Sequence, residues 1–137
     1  MTNQLSPQEA LIYAMITMSA VDNKMSNIEL GRIGSMVRQL PVFANYDENC
    51  LVDDSKECAA VAGAPDGLQR ILDLMTASIP DRLRETAYIL CCEVAAIDGR
   101  LNKEELRFLQ LLASALRLDR LTCVALERAA AARYQKP

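Results

Sequence analysis

The chain of 137 residues contains no histidine and no tryptophan, and only 4% of its residues are aromatic. Glycine and proline are also scarce, at five each, which argues against a β-rich protein with many tight turns. Because 51% of the sequence is nevertheless hydrophobic, small and flexible apolar side chains must fill the interior. Such side chains suit close packing between helices. We therefore predict an all-α bundle, and the length fits a single domain over residues 1–137.

Several function classes are disfavoured by what the chain does not contain. No apolar run reaches the roughly 18 residues that indicate a membrane span, and the N-terminus lacks the pattern of a signal peptide. The net charge is −3 and the isoelectric point is near 5.0, whereas nucleic-acid binding favours a basic stripe. We expect a cytoplasmic protein that neither inserts directly into a membrane nor binds nucleic acid.

The cysteines do not form a pattern typical of zinc sites or disulfide frameworks. They are odd in number, contain no CxxC pair and have no histidine to join them; they are Cys50, Cys58, Cys91, Cys92 and Cys123. Cys91 and Cys92 lie inside an apolar helical run and point in different directions, which favours core packing over redox chemistry. We expect all five to be reduced and at least one of this pair to lie in the core.

Capping residues and apolar periodicity predict seven helices and no strands. The predicted helices run from a cap at Ser6 to about 21, from Ser26 to about 40, from Asn45 to about 62, from Asp66 to the break at Pro80, over about 81–97, from a cap at Asn102, and from Asp119 to about 134. The first and fifth helices are apolar nearly all round. We expect them to be the most buried and to pack against each other near their C-terminal ends.

A short motif occurs twice, 76 residues apart. The first copy reads AVDNKMSNIEL over residues 20–30, and the second reads AIDGRLNKEEL over residues 96–106. The same offset gives six identities between residues 9–40 and 85–116, four of them within the motif. We interpret the two copies as pseudo-symmetric helix–loop–helix repeats, with units at about 7–40 and 83–116.

Each copy places an aspartate, Asp22 or Asp98, at the C-terminal end of a helix. Unpaired carbonyl groups make that position unfavourable for a negative charge, by about 0.3–1 kcal/mol. The chain makes this choice twice, which indicates a compensating cation. That cation could be the neighbouring Lys24 or Arg100, or a bound metal ion.

Each copy also places a glutamate, Glu29 or Glu105, seven residues after its aspartate. Both occupy the third helical position after Ser26 or Asn102, where a capping-box glutamate bonds a backbone N–H. Capping alone is therefore one interpretation of the glutamates, and metal binding is the other.

The second copy resembles the latter half of an EF-hand loop, from Asp98 to Glu105. The first and third ligand positions of such a loop would be Val94 and Ala96, which cannot coordinate Ca²⁺. The first copy has Met18 and Ala20 at these positions, so neither loop can be a calcium-binding EF-hand.

Packing across a pseudo-two-fold would instead bring the two acid pairs into one oxygen-rich site. We predict that Asp22, Glu29, Asp98 and Glu105 together bind a divalent cation. Hard ions such as Ca²⁺, Mg²⁺ or Mn²⁺ fit a set of carboxylates without histidine.

The doubled pattern Ala-x-Asp-Gly-x-Leu/Val-x-x-x-Glu-Leu, in an all-α chain of this length, resembles the tellurite-resistance TerB family. The resemblance covers essentially the whole chain, although Asn23 stands where the family usually has glycine. It implies a bacterial cytoplasmic stress-response protein with membrane-associated protein partners and no established catalytic activity. It also implies a metal-binding role for the acidic positions of the family, which are matched by Asp22, Glu29, Asp98 and Glu105.

Two functional interpretations remain open from the sequence. One is a small metal-binding module without enzymatic activity, and the other is a helical protein–protein interaction adaptor whose repeated acids only cap helices. We do not expect an enzyme, because no nucleophile–base pair is recognisable and di-metal carboxylate bundles require histidine. Glu93, inside the fifth helix, is the one further acid considered for a metal site, but we expect it to face solvent because a lone buried carboxylate is costly.

Overall fold

The computed structural model describes residues 5–21, 27–96 and 101–137, and over these ranges the chain forms seven α-helices and no strand. The helices are α1 (Pro7–Ala20), α2 (Asn27–Gln39), α3 (Leu51–Ala62), α4 (Gly67–Ser78), α5 (Arg84–Ala96), α6 (Lys103–Ala115) and α7 (Arg120–Arg133). The all-α fold expected from the sequence is therefore confirmed. None of the described helices combines the length and apolarity needed to cross a bilayer.

Two helices begin later than predicted. The third was expected from Asn45, but the chain first forms two single 3₁₀ turns, Pro41–Phe43 and Glu48–Cys50, and α3 begins at Leu51. Likewise, Asp81–Leu83 is a 3₁₀ turn, and α5 begins at Arg84. Short 3₁₀ turns often precede an α-helix, and sequence patterns do not distinguish them from its first turn.

Helix α1 begins at the predicted capping box. The Ser6 Oγ accepts a hydrogen bond from the Glu9 N–H at 3.1 Å, and the Glu9 Oε1 accepts one from the Ser6 N–H at 2.9 Å. Pro7 occupies the first helical position, where its missing N–H costs nothing. Every residue from Ala10 to Ser19 is then buried, because the helix has almost no polar side chain to turn toward water.

The two most apolar helices lie at the centre of the bundle and contact each other, as predicted. Helix α1 also contacts α2, α3, α4 and α6, so it is enclosed on all sides. Helix α5 packs between α1 and α7, and its buried face includes both Cys91 and Cys92. The expectation that at least one of these cysteines lies in the core is confirmed.

The helix boundaries agree with the proposed repeat. Helix α2 (Asn27–Gln39) and helix α6 (Lys103–Ala115) have bounds that differ by 76 residues at both ends, and α1 and α5 finish at the equivalent Ala20 and Ala96. The contacts also correspond, since α1 touches α6 and α5 touches α2. An exchange of the two units by a two-fold axis would require these two contacts to occur together.

The described residues of both motif copies that flank the turns, 20–21 with 27 and 96 with 101–103, lie at one end of the bundle, which we call the repeat-turn end. Two cavities show which helices meet there. One brings the end of α1 to the starts of α4 and α6, and the other brings the end of α5 to residues 134–136 after α7. At the opposite end, the Leu5 N–H donates to the Ser78 Oγ at 3.0 Å, and the Arg84 Nη1 donates to the Leu116 carbonyl at 3.1 Å.

The turn between α6 and α7 contains a residue in the left-handed region, Arg117, with φ of 57°. Its N–H donates to the Ser114 carbonyl at 3.1 Å, and the Leu118 N–H donates to the Ala113 carbonyl at 3.0 Å. This pair of bonds is the Schellman ending, in which glycine is the usual residue at the left-handed position. Arginine there carries a conformational cost that its backbone role does not explain.

Replacing Arg117 by glycine should therefore stabilise the protein by about 0.5–1 kcal/mol. Relieving a left-handed side chain gains about 1–2 kcal/mol, and the added flexibility of glycine in the unfolded chain takes back about 0.4–1 kcal/mol. Urea denaturation measures the difference. The matched variant Arg117→Ala retains the β-carbon and should not gain stability; an equal gain in both variants would locate the cost in the guanidinium group instead.

Candidate metal centre

Glu105 is the best described of the four predicted ligands. It lies in the first turn of α6 and is buried, with 6% of its surface exposed. Its Oε1 accepts a hydrogen bond from the Asn102 N–H at 3.1 Å, and the Asn102 Oδ1 accepts one from the Glu105 N–H at 2.7 Å. The predicted capping box is therefore present, and it fixes this carboxylate at the repeat-turn end.

Glu29 occupies the equivalent position in the first turn of α2 and is half-buried. Its predicted capping partner, Ser26, lies outside the described residues, as do Asp22 and Asp98. The prediction that the four acids form one locus therefore stays a prediction. Within the described ranges no three histidine, cysteine, aspartate or glutamate side chains are grouped closely enough to hold a metal ion.

The ends of α1 and α5 nevertheless approach the same helix turn. Ala20 and Val21, which directly precede Asp22, line a cavity of about 440 Å³ together with Lys103 and Glu104 at the start of α6. Ala96, at the end of α5, lines a second cavity of about 380 Å³ together with Leu101. The described ends of α1 and α5 thus both lie near residues 101–104, which directly precede buried Glu105.

The end of α1 contains one buried oxygen of a type that a hard cation accepts, although Ser19 lines neither of the two cavities. The Ser19 Oγ, in the last turn of α1, is buried and has no hydrogen-bond partner among the described residues. A hydroxyl oxygen and carboxylates are ligands that Ca²⁺, Mg²⁺ and Mn²⁺ accept. Lys103 and Arg107 line the same cavity as the end of α1, so side-chain cations are also available to balance the acids.

The expectation for Glu93 was wrong. Instead of facing solvent it is buried, with 7% of its surface exposed, and its Oε2 lies 2.7 Å from the Arg133 Nε of α7. A buried carboxylate is tolerated when a charged partner compensates its loss of hydration. Sequence reasoning missed the pair because Arg133 is 40 residues away along the chain and its packing on α5 is not visible in a local pattern.

A second polar contact between α5 and α7 was also missed. The Tyr88 hydroxyl donates to the Glu127 Oε2 at 2.6 Å, with Tyr88 itself almost fully buried. Buried tyrosines generally need such a partner, so the Tyr88 position inside an apolar run was a usable signal. The two contacts add an ion pair and a hydrogen bond to the close packing of α7 on the central helix, in which Cys123 and Ala130 are buried.

The thiols next to the candidate site are shielded. Burial raises the pKa of Cys92 to about 12, with smaller contributions from nearby Glu127, Cys123 and Glu93. Burial likewise raises the pKa of Cys91 well above its usual value and that of Cys58 to about 11, although the Thr17 hydroxyl opposes the shift at Cys58. Soft-metal binding requires the thiolate form, which these environments disfavour.

In native protein, a thiol-specific aromatic disulfide reagent should label a single cysteine rapidly. Cys50 is exposed, whereas the other four cysteines are buried and should react only when the protein unfolds. The absorbance of the released thiol, followed before and after denaturant is added, gives the number of cysteines that react in the native protein and the number that react in the unfolded protein. The Cys50→Ser variant should lose the rapid phase, and rapid labelling of a second cysteine would contradict the packing of α5.

The comparisons with known proteins are consistent with this architecture. The family model described as TerB, tellurite resistance protein TerB, matches residues 8–128. The chain therefore belongs to the TerB family, as its doubled motif indicated. No curated protein and no solved structure matches the chain significantly.

The capping bonds of α6 should contribute to stability whether or not a metal binds. Replacing Asn102 by alanine removes the acceptor for the Glu105 N–H and should lower the free energy of unfolding by about 1 kcal/mol. Asn49→Ala, at an exposed position whose side chain does not cap a helix, should change stability by less than about 0.5 kcal/mol. Urea denaturation in the presence of a metal chelator measures the free energy of unfolding of both variants. If Asn102→Ala is as stable as wild type, the capping box does not contribute to stability.

Proposed function

We propose that this TerB-family protein is a non-enzymatic cytoplasmic stress-response module that binds a divalent cation at the repeat-turn end. The ligands in this proposal are Asp22, Glu29, Asp98 and Glu105. The observation that carries it is the position of buried Glu105, held by its cap at the turn that the ends of both α1 and α5 approach. Tellurite resistance, named in the family description, is the cellular process to which we assign the module.

The electrostatics of this end support a cation. The carbonyl groups that finish α1 and α5 make the field there negative, and the aspartates of the motif add to it. Carboxylates within metal distance of each other repel in the empty state, because each disfavours the ionised form of its neighbours. A divalent ion would remove that repulsion and would bind the folded chain in preference to the unfolded one.

In this proposal each protein group has a defined part. The capping bond from the Asn102 N–H holds the Glu105 carboxylate in one orientation, which reduces the entropy lost when a ligand binds. Pseudo-symmetry gives Glu29 the corresponding part in the first copy. The two aspartates supply the remaining negative charge from the ends of the central helices.

The second candidate function is a protein-interaction adaptor in which the acids only cap helices. It is favoured by apolar side chains exposed at the starts of the helices at this end, namely Ile28 at 72%, Leu101 at 49%, Leu106 at 48% and Leu68 at 41%. Several exposed apolar side chains at one end can form a contact surface. Val52, Leu121 and Val124 are also exposed, at the starts of α3 and α7, so apolar exposure is not confined to this end. In this alternative, we assign the surface to protein partners in a membrane-associated complex.

Thermal melts with and without Ca²⁺, Mg²⁺ or Mn²⁺ separate the two functions. A cation at 100 times its dissociation constant should stabilise the wild-type protein by about 2.7 kcal/mol. Asp98→Asn should lose most of this gain, and in a chelator it should be as stable as wild type or slightly more stable, because one repulsive charge is absent. For a purely structural acid, the substitution would change stability equally with and without cation.

The matched control is Asp73→Asn, which removes one negative charge from the exposed face of α4 and leaves an acceptor for the Gln69 side chain. It should retain the full cation-dependent shift. If Asp73→Asn and Asp98→Asn reduce the shift equally, the effect is one of net charge, and the cation site is rejected.

A further inference from the structure

A third cavity, of about 540 Å³, lies at the end of the bundle opposite the repeat turns. It is formed where α4 ends, α5 begins and α6 turns into α7, and it is lined by Thr76, Asp81, Arg84, Glu85, Leu116, Arg117 and Leu118. Neither Glu29 nor Glu105, the two candidate cation ligands within the described residues, lines it. Its walls include two arginines and two acids, a composition that needs an explanation separate from the repeats.

Arg84 lines this cavity, and its Nε–H donates no hydrogen bond within the described chain. Its Nη1 donates to the Leu116 carbonyl at 3.1 Å, which ties α5 to the end of α6. Its Nε is buried but makes no hydrogen bond within the described chain, although the Asp81 Oδ1 lies 3.3 Å away. A buried N–H without an acceptor is costly, and the exposed Asp81 forms only a weak ion pair with it. The Arg84 side chain is partly exposed, and the residue lines the cavity, so its guanidinium group is available to an anion there.

Arg117 lines the same cavity and can supply a second guanidinium group to a ligand there. Its backbone adopts the left-handed conformation that glycine adopts more easily, so the turn itself does not favour arginine. Arginine is, however, well suited to oxyanions, because its planar guanidinium group donates two parallel hydrogen bonds. Two such groups on one cavity wall are typical of an anion-binding site.

The two acids restrict which anion can bind. Asp81 and Glu85 line the cavity with the arginines and would repel an anion that offers them only lone pairs. An oxyanion that retains a hydroxyl group can instead donate to a carboxylate while it accepts from the guanidinium groups. At neutral pH, hydrogen phosphate retains such a hydroxyl, whereas sulfate does not.

We propose that the cavity between Arg84 and Arg117 binds inorganic phosphate, with the anion's hydroxyl donated to Asp81 or Glu85. The Arg84 guanidinium group donates to the anion from the start of α5, and Arg117 closes the site from the α6–α7 turn. An ester of phosphate has exchanged a hydroxyl for carbon, so the free ion is the species that satisfies all four side chains. This site is independent of the cation site at the repeat-turn end.

The test is calorimetric titration of the full chain with sodium phosphate at low ionic strength and neutral pH. We expect a Kd of about 1 mM or tighter, and binding of sulfate or methyl phosphate weaker by about tenfold or more, since one charge-assisted hydrogen bond is missing. Arg117→Gly should weaken phosphate binding by about tenfold while the variant remains folded with a higher melting temperature. Loss of binding with a gain in stability distinguishes a ligand contact from damage to the fold.

Arg82→Ala is the matched control, because Arg82 is exposed on the neighbouring turn and does not line the cavity. Its phosphate affinity should stay within about twofold of wild type. Equal weakening by Arg82→Ala and Arg117→Gly, equal affinity for phosphate and sulfate, tighter binding of the ester, or no heat of binding would each overturn the proposal.

Discussion

The arrangement of this protein depends on the enclosure of one helix, α1. Its residues from Ala10 to Ser19 are all buried, so it offers water no face and must be surrounded. Five other helices contact it, and their faces are set by that requirement. Only the two ends of α1 reach the surface of the bundle. Its C-terminal end lies beside the first turn of α6, next to the candidate cation site.

Helix α5 is also central, but fewer helices surround it. One side packs on α1, and the other is covered by α7, which contributes few buried side chains. The Glu93–Arg133 ion pair and the Tyr88–Glu127 hydrogen bond therefore carry much of the specificity of this contact. Only the Glu93 carboxylate of the ion pair is buried, and it would lose its charged partner if α7 shifted, although the Arg133 side chain remains largely exposed. The residues after α7 line the cavity at the end of α5, within the repeat-turn end.

The sequence predicted those features that local physics determines. Three helix starts were predicted correctly from their capping residues, Ser6, Asn102 and Asp119. The central position of α1 and α5 was predicted from their apolar character. The delayed start of α3 was missed because 3₁₀ and α turns share local patterns. The orientation of Glu93 was missed because its partner is supplied by tertiary packing. For the candidate site, both glutamates were located in first helical turns, while the mutual placement of the aspartates is a prediction from symmetry.

The central claim is that two copies of one motif build a single cation site. The most direct measurement is the number of Mn²⁺ ions bound per chain, obtained by electron paramagnetic resonance, for wild type and for Asp22→Asn and Asp98→Asn. A shared site predicts one tightly bound ion, weakened by either substitution. Two ions per chain, with each substitution affecting only one of them, would show two separate sites, and no bound ion would show that the acids serve only the helices they cap.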